Sequence, residues 1–265
     1  MTATVPVLMY HSISADPPHR TRCLSVHPRE FAAQLGFLAD NGFSTLTFGA
    51  LAEALRDGTP LPERPVVLSF DDGYADFHRE ALPLLDARGS RATLFVTTGW
   101  VAGTDEPAGH PLDATLSWSQ LDEVVSSGVE VGAHSHSHAH LDQLHPPTLA
   151  GELRDSRHLL EDRLGQPVTT LAYPFGHHSA RVRRDVRSAG YASAAAVHNT
   201  RAARNADPLA VPRLTVRRST SLQVFSRLVD VEVPAPAYRV DRTLTAGYAV
   251  VRRARYAISR TCARG

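Results

Sequence analysis

The sequence predicts an α/β fold, a parallel barrel of seven or eight strand-and-helix units. Two observations carry this. Short apolar runs alternate with segments of helical spacing along most of the chain, and side chains capable of chemistry end several different runs, as they do at the rim of a parallel barrel. In addition, 265 residues with 43% hydrophobic content are long enough for one large α/β domain.

The strand-like runs, in order, are Val5 to Tyr10, Phe43 to Thr47, Val66 to Phe70, Ala92 to Thr97, Val129 to Ala133, Thr169 to Tyr173, Tyr191 to Val197 and Leu209 to Val216. Helices separate most of them. Phe31, Leu35 and Leu38 keep i, i+4, i+7 spacing up to Asn41-Gly42, and Leu51 and Leu55 stop at Asp57-Gly58. Further helices are expected over Ala81 to Arg88, Ser119 to Ser127, Thr148 to Leu164, Ala180 to Ala189 and Ser221 to Val229, while Gly103 to Ala114 reads as a polar loop. The barrel is expected over residues 1–232. Beyond Val233-Pro234-Ala235-Pro236 the pattern fades, and residues 233–265 read as a basic tail or helical extension carrying Arg242, Arg252, Arg253, Arg255, Arg260 and Arg264.

Composition excludes several functions. A formal charge of +1 gives no electrostatic case for nucleic acid. No apolar run reaches the roughly 20 residues of a membrane span, and Met1 to Pro6 lack the basic start and apolar core of a secretory signal, which leads to an expected cytoplasmic location. Cys23 and Cys262 read as two free thiols rather than a disulfide framework or zinc knuckle. The chain has no lysine, so all 28 basic residues are arginine, and Schiff-base, pyridoxal-phosphate and phosphate-loop chemistry are ruled out.

The chemistry gathers at strand ends. Asp71 and Asp72 close the run Val66-Val67-Leu68-Ser69-Phe70, and His134-Ser135-His136-Ser137-His138 follows Gly132-Ala133. Two imidazoles and one carboxylate suit a borderline divalent ion such as zinc and leave a position open for water or substrate, while the other carboxylate is free to act as a base. Spacing alone does not say which of the five histidines from His134 to His145 bind, nor which aspartate does. Tyr10-His11 and Tyr173-Pro174-Phe175-Gly176 end two further strands at the same rim. A turn at Asp-Asp-Gly and a histidine-rich surface loop are the plain alternatives.

Ser69-Phe70-Asp71-Asp72-Gly73, His134-Ser135-x-x-His138 and Tyr173-Pro174-Phe175-Gly176 together resemble the polysaccharide deacetylase family of carbohydrate esterases, from Val5 to about Val216. The opening Val7-Leu8-Met9-Tyr10-His11-Ser12 is similar to the branch containing poly-N-acetylglucosamine deacetylases, where the first strand supplies a histidine that other members place near the C-terminus. The family fold is a distorted parallel (β/α)7 barrel. The resemblance implies Asp71 as general base, Asp72, His134 and His138 as metal ligands, and His11 as general acid. It also implies an oxyanion donor in the Phe175 backbone N-H, a pocket wall including Tyr173 and Trp118, and a Ser135 that holds a neighbouring group. The ion would be zinc first, with Co, Ni, Mn or Fe as alternatives. Two departures stand out: Ala172 occupies the place of an arginine that orients the base in many members, with Arg213 on another strand the candidate for a related role, and Phe175 replaces a frequent tyrosine. Of the extra histidines His136, His140, His177 and His178, the last two are expected at the site mouth.

The implied activity is metal-dependent removal of an acetyl group from an N-acetylated amino sugar, whether glycan, glycolipid or small glycoside. Hydrolysis of another amide or an O-acetyl ester on the same scaffold, and a non-catalytic carbohydrate-binding descendant, are the alternatives. The arginine-rich tail is a further candidate for weak membrane-surface contact.

Overall fold

The computed structural model describes residues 4–230. In chain order the elements are β1 (Val7–Tyr10), β2 (Ser12–Ile13), β3 (Ser25–Val26), α1 (Pro28–Asp40), β4 (Ser44–Leu46), α2 (Phe48–Asp57), β5 (Pro65–Phe70), α3 (Leu82–Asp86), β6 (Thr93–Val96), α4 (Trp118–Ser126), β7 (Glu130–Ala133), α5 (Pro146–Leu164), β8 (Thr170–Ala172), α6 (Ala180–Ser188), β9 (Ser193–Val197), β10 (Val211–Thr215) and α7 (Leu222–Asp230).

Seven parallel strands close a ring in the order β1-β5-β6-β7-β8-β9-β10, with β10 returning to β1. The eighth, β4, pairs with Pro65 to Val67 at the lower half of β5, and β6 takes Ser69 and Phe70 higher up. Both lie on the same edge, because the N-H groups of Val67 and Asp71 point the other way, to the carbonyls of Pro6 and Tyr10. The short β4 therefore wedges beneath β6 without entering the ring, which explains both the count of eight runs and the barrel of seven.

Side-chain alternation sorts each strand into two cores. Val7, Val67, Phe95, Ala172, Ala195 and Val211 fill the barrel interior, while Leu8, Tyr10, Leu68, Phe70, Leu171 and Tyr173 pack outward beneath the helices. The lower end is tied by Glu130: one carboxylate oxygen accepts from Gly49 N-H at 2.9 Å and Thr93 Oγ1 at 2.7 Å, the other from Thr170 Oγ1 at 3.1 Å.

Element boundaries follow local chemistry. α5 begins two residues before its expected start because Pro146 and Pro147 fit the first turn, where no N-H is needed. α4 is started by a capping box of Ser117 and Gln120. A single π turn, Phe77–Ala81, precedes α3, with the Leu82 N-H bonding to the Phe77 carbonyl. Pro83, lacking an N-H, cannot make the α-helical bond back to Arg79. No helix of the described residues is long and apolar enough to cross a membrane. The expected 233–265 extension and Cys262 lie outside the described residues; Cys23 is an exposed free thiol.

Candidate active site

Alternation also decides which side chains enter the barrel mouth. Along β5, Val67 and Ser69 face inward, so Asp71 does too; along β10, Val211 faces inward and so does Arg213; along β1, Val7 and Met9 do, and then His11. The register Tyr10↔Phe70 places His11 beside Asp71, and Val96↔Ala133 brings His134 to the same level. They open onto one cavity of about 600 Å³, whose wall includes His11, Asp71, Asp72, His134, His138 and Phe175.

Asp72 Oδ1 lies 3.4 Å from Nε2 of both His134 and His138. Donors about 2.0–2.1 Å from one ion at tetrahedral angles are themselves about 3.3–3.4 Å apart. Asp72 Oδ1 is also buried with no hydrogen-bond partner, an expensive arrangement that a cation would relieve. His134 Nδ1 donates to the Ala172 carbonyl at 2.8 Å, which leaves Nε2 to face Asp72. Among the described residues this is the one cluster of three or more His, Cys, Asp or Glu donors able to hold a metal, and the three residues fit one.

The electrostatics divide the two aspartates. Burial pushes the Asp71 carboxyl up, but Arg213 first, then His134 and His11, more than offset this and hold it below the usual carboxylate range. Arg213 is fully buried and forks onto Asp71, NH1 to Oδ1 at 2.6 Å and NH2 to Oδ2 at 2.7 Å, with NH1 also 3.2 Å from Ser69 Oγ. Burial likewise opposes ionisation of Asp72, and the surrounding His134, His11 and His138 outweigh it. Burial, with His134 alongside, pulls His138 down to about 4, so it is neutral with a lone pair available near pH 7. His134 is raised instead: burial lowers it, but the flanking Asp71 and Asp72 prevail. His11 is lowered, burial being stronger than the pull of Asp72 and Asp71.

The backbone is unusual here. Asp72 (φ 77°), Ser135 (64°), His138 (59°), Phe175 (59°) and Asn199 (51°) are five of the six non-glycine residues at positive φ among those described. Left-handed φ at Asp72 turns its carboxylate back toward the histidines instead of outward, the direction strand alternation would give it. The Ser135 hydroxyl accepts the His138 N-H at 3.0 Å. The turn Pro174–Gly176 is closed by the N-H groups of Gly176 and His177, and the Phe175 N-H is not used in it.

Three expectations need correction. Tyr173 follows Leu171 in facing outward; it is fully buried, and its hydroxyl donates to the Leu209 carbonyl at 2.8 Å, away from the cavity. Trp118 opens α4 and packs on the outer core beneath the Arg163 guanidinium, 5.3 Å from its ring. The cavity wall is formed instead by Trp100, whose ring lies 4.9 Å from His138. His177 lines the cavity, but His178 turns aside: its Nε2 meets His198 Nε2 at 3.3 Å, and Arg183 donates to its Nδ1 at 3.1 Å. Of the remaining histidines, His136 meets Thr98 Oγ1 through Nδ1 at 3.0 Å, and His140 is exposed and stacked on Phe175 at 4.0 Å. Sequence reasoning missed Trp100, Tyr74 and Met9 as wall residues. Met9 could have been found from the β1 alternation, and Trp100 from its place just past the end of β6.

Comparison with known proteins places the chain in a family. The family model for polysaccharide deacetylase matches residues 58–194, just over half of the chain. YxkH of Bacillus subtilis (strain 168), assigned to the polysaccharide deacetylases, is 29% identical over 228 residues, covering 86% of this chain and 77% of that one. The poly-beta-1,6-N-acetyl-D-glucosamine N-deacetylase of Escherichia coli (strain K12) is 31% identical over 138 residues, which are 48% of this chain and 20% of the longer protein. Among solved structures, the Streptococcus pyogenes deacetylase PplD in complex with acetate superposes with a TM-score of 0.78 at 26% identity, covering 87% of this chain and all of that one. With this barrel, these strand-end residues and this match, the chain belongs to the polysaccharide deacetylase family.

Proposed function

We propose that the protein is a metal-dependent hydrolase that removes the acetyl group from an N-acetylated amino sugar. The observation that carries this reading is the division of the aspartate pair: Asp72 faces two imidazoles with a buried, unpartnered oxygen, while Asp71 is held apart by a fully buried arginine. A divalent ion bound by Asp72, His134 and His138, zinc first by the chemistry of the donors, supplies polarisation of the acetyl carbonyl and a more acidic water.

The other steps fall to the chain's own residues. Asp71, ionised and fixed by Arg213, takes the proton of the attacking water. The Phe175 N-H, free of the turn that contains it, is the donor available to the developing oxyanion. His11, on the β1 side of the cavity, gives its proton to the departing amine as the carbon–nitrogen bond breaks, so that acetate and a free amino sugar result. The acetate complex of the S. pyogenes relative and the N-acetylglucosamine polymer named for the E. coli relative support the choice of an acetylated amino sugar.

The test is acetate release from a panel of N-acetyl and O-acetyl sugars, with and without a chelator. N-acetyl substrates are expected to react and the chelator to stop them. Asp72→Ala and His134→Ala should lose both bound metal and acetate release. Asp71→Asn should keep the metal and lose on the order of 10²–10⁴ in turnover; full activity in that variant would remove Asp71 as the base. Release from O-acetyl sugars alone would overturn the amide reading.

A further inference from the structure

We infer that Glu152, on the outer helix α5 and away from the cavity wall, is a positioning residue that sets the metal-ligand loop from His134 to His138. The inference rests on the reading of Asp72, His134 and His138 as metal ligands.

This loop supplies two of the three donors on an irregular backbone. Ser135 and His138 are both left-handed, at φ 64° and 59°, and each such residue costs about 1–3 kcal/mol and persists only where its surroundings fix it. Five residues with that strain need restraint from both sides. On one side the carbonyls are held: Thr98 N-H donates to the Ser135 carbonyl at 3.2 Å and Gly99 N-H to the His136 carbonyl at 2.8 Å. Gly99 is needed for that approach, since a Cβ there would lie 2.6 Å from the His136 oxygen.

On the other side the His134 N-H bonds to the Val96 carbonyl and the His138 N-H to the Ser135 hydroxyl, and the two amides between them are held by Glu152. One of its carboxylate oxygens accepts the N-H groups of His136 and Ser137, both at 2.9 Å, and the other accepts the Ser137 hydroxyl. Two consecutive amides converging on one anionic oxygen form a nest, in which charge strengthens each bond. The clamped pair sits between the two ligands, so a shift of His136 and Ser137 moves His134 and His138 relative to each other. Glu152 is half-buried and partly screened from water, so the charge-assisted bonds keep their strength. An alanine there would release three donors at once, whereas a glutamine could still offer an oxygen to the amides and donate to Ser137 Oγ.

Glu130 provides the matched control. It too accepts three donors, but at the lower end of the barrel, far along the strands from the ligands. Zinc affinity, measured by competition with a chromogenic chelator, is expected to fall tenfold or more in Glu152→Ala, in the range typical for groups that orient metal ligands. It should fall less in Glu152→Gln and stay within about twofold of wild type in Glu130→Gln, although the latter lowers Tm. The visible spectrum of the cobalt-substituted protein should change in Glu152→Ala and not in Glu130→Gln. Wild-type zinc affinity and an unaltered cobalt spectrum in Glu152→Ala would overturn this inference alone, as would losses in both glutamate variants that simply track Tm. A wild-type protein that takes up no zinc would overturn the metal reading and this inference with it.

Discussion

Arg213 is the residue that holds the Asp71 carboxylate in place. Its guanidinium is wholly buried, and removing it leaves a buried carboxylate uncompensated, so Arg213→Ala is expected to cost about 3–5 kcal/mol in chemical denaturation. Arg213→Lys supplies a point charge in place of a fork and should retain more stability than activity. Because Arg213 depresses the Asp71 pKa, Asp71 contributes stability above its unfolded value that is lost as pH falls through its folded value. As the proposed base, Asp71 must be ionised to act, so the acidic limb of kcat/KM should move to higher pH in Arg213→Lys; an unmoved limb would separate Arg213 from the base. At this scale the sequence was informative wherever strand alternation and strand end coincided, as at His11, Asp71 and His134. It was uninformative where a side chain's direction depended on non-local backbone. Tyr173 ends a strand but on the outward parity, and Trp118 belongs to a helix cap whose orientation no spacing reveals.

The contact between β2 and the π turn before α3 carries its own titrating group, Asp76, at the start of that turn. Asp76 is buried, accepts from the Ser12 hydroxyl and the Ile13 N-H, and keeps one carboxylate oxygen unpaired. Burial, joined by Asp113, raises it from 3.8 to about 6 even though the Ser12 and Ile13 bonds and Arg79 pull the other way. A carboxyl raised in the folded state favours folding below its unfolded pKa, and that contribution disappears as pH rises through about 6. Asp76→Asn, which mimics the neutral acid, should flatten this dependence and exceed wild-type stability above pH 6 by up to about 3 kcal/mol. Equal slopes of Tm against pH between 4 and 7 in both proteins would contradict it. Apolar periodicity disclosed every helix of the described barrel to within a few residues. The π turn escaped because it differs from an α turn by a single hydrogen bond, and the ladder of β2 with β3 because two-residue strands have no period to detect.

At the scale of the whole molecule, the pairing of β1 with β5 converts an open sheet into a barrel and seats His11 beside Asp71, next to the β5 loop that carries Asp72. Eight apolar runs were readable in the sequence. That β4 stays outside the ring was not, because its three residues resemble any other short strand and its displacement depends on which neighbour claims the upper edge of β5. The proposed metal site draws on the ends of β5 and β7, so ion binding there should brace the ring. An ion at about a thousand times its Kd adds about 4 kcal/mol, which raises Tm on the order of 10 °C over chelator-treated protein in a thermal melt; coincident melts would contradict this. The left-handed residues at the rim have a consequence for the history of such a protein. Asp72, Ser135, His138 and Phe175 each occupy a conformation that glycine adopts at no steric cost. A population selected for heat tolerance where no metal ion is available, with no demand for turnover, would therefore gain by replacing these four first, and its most robust descendants would be inert barrels.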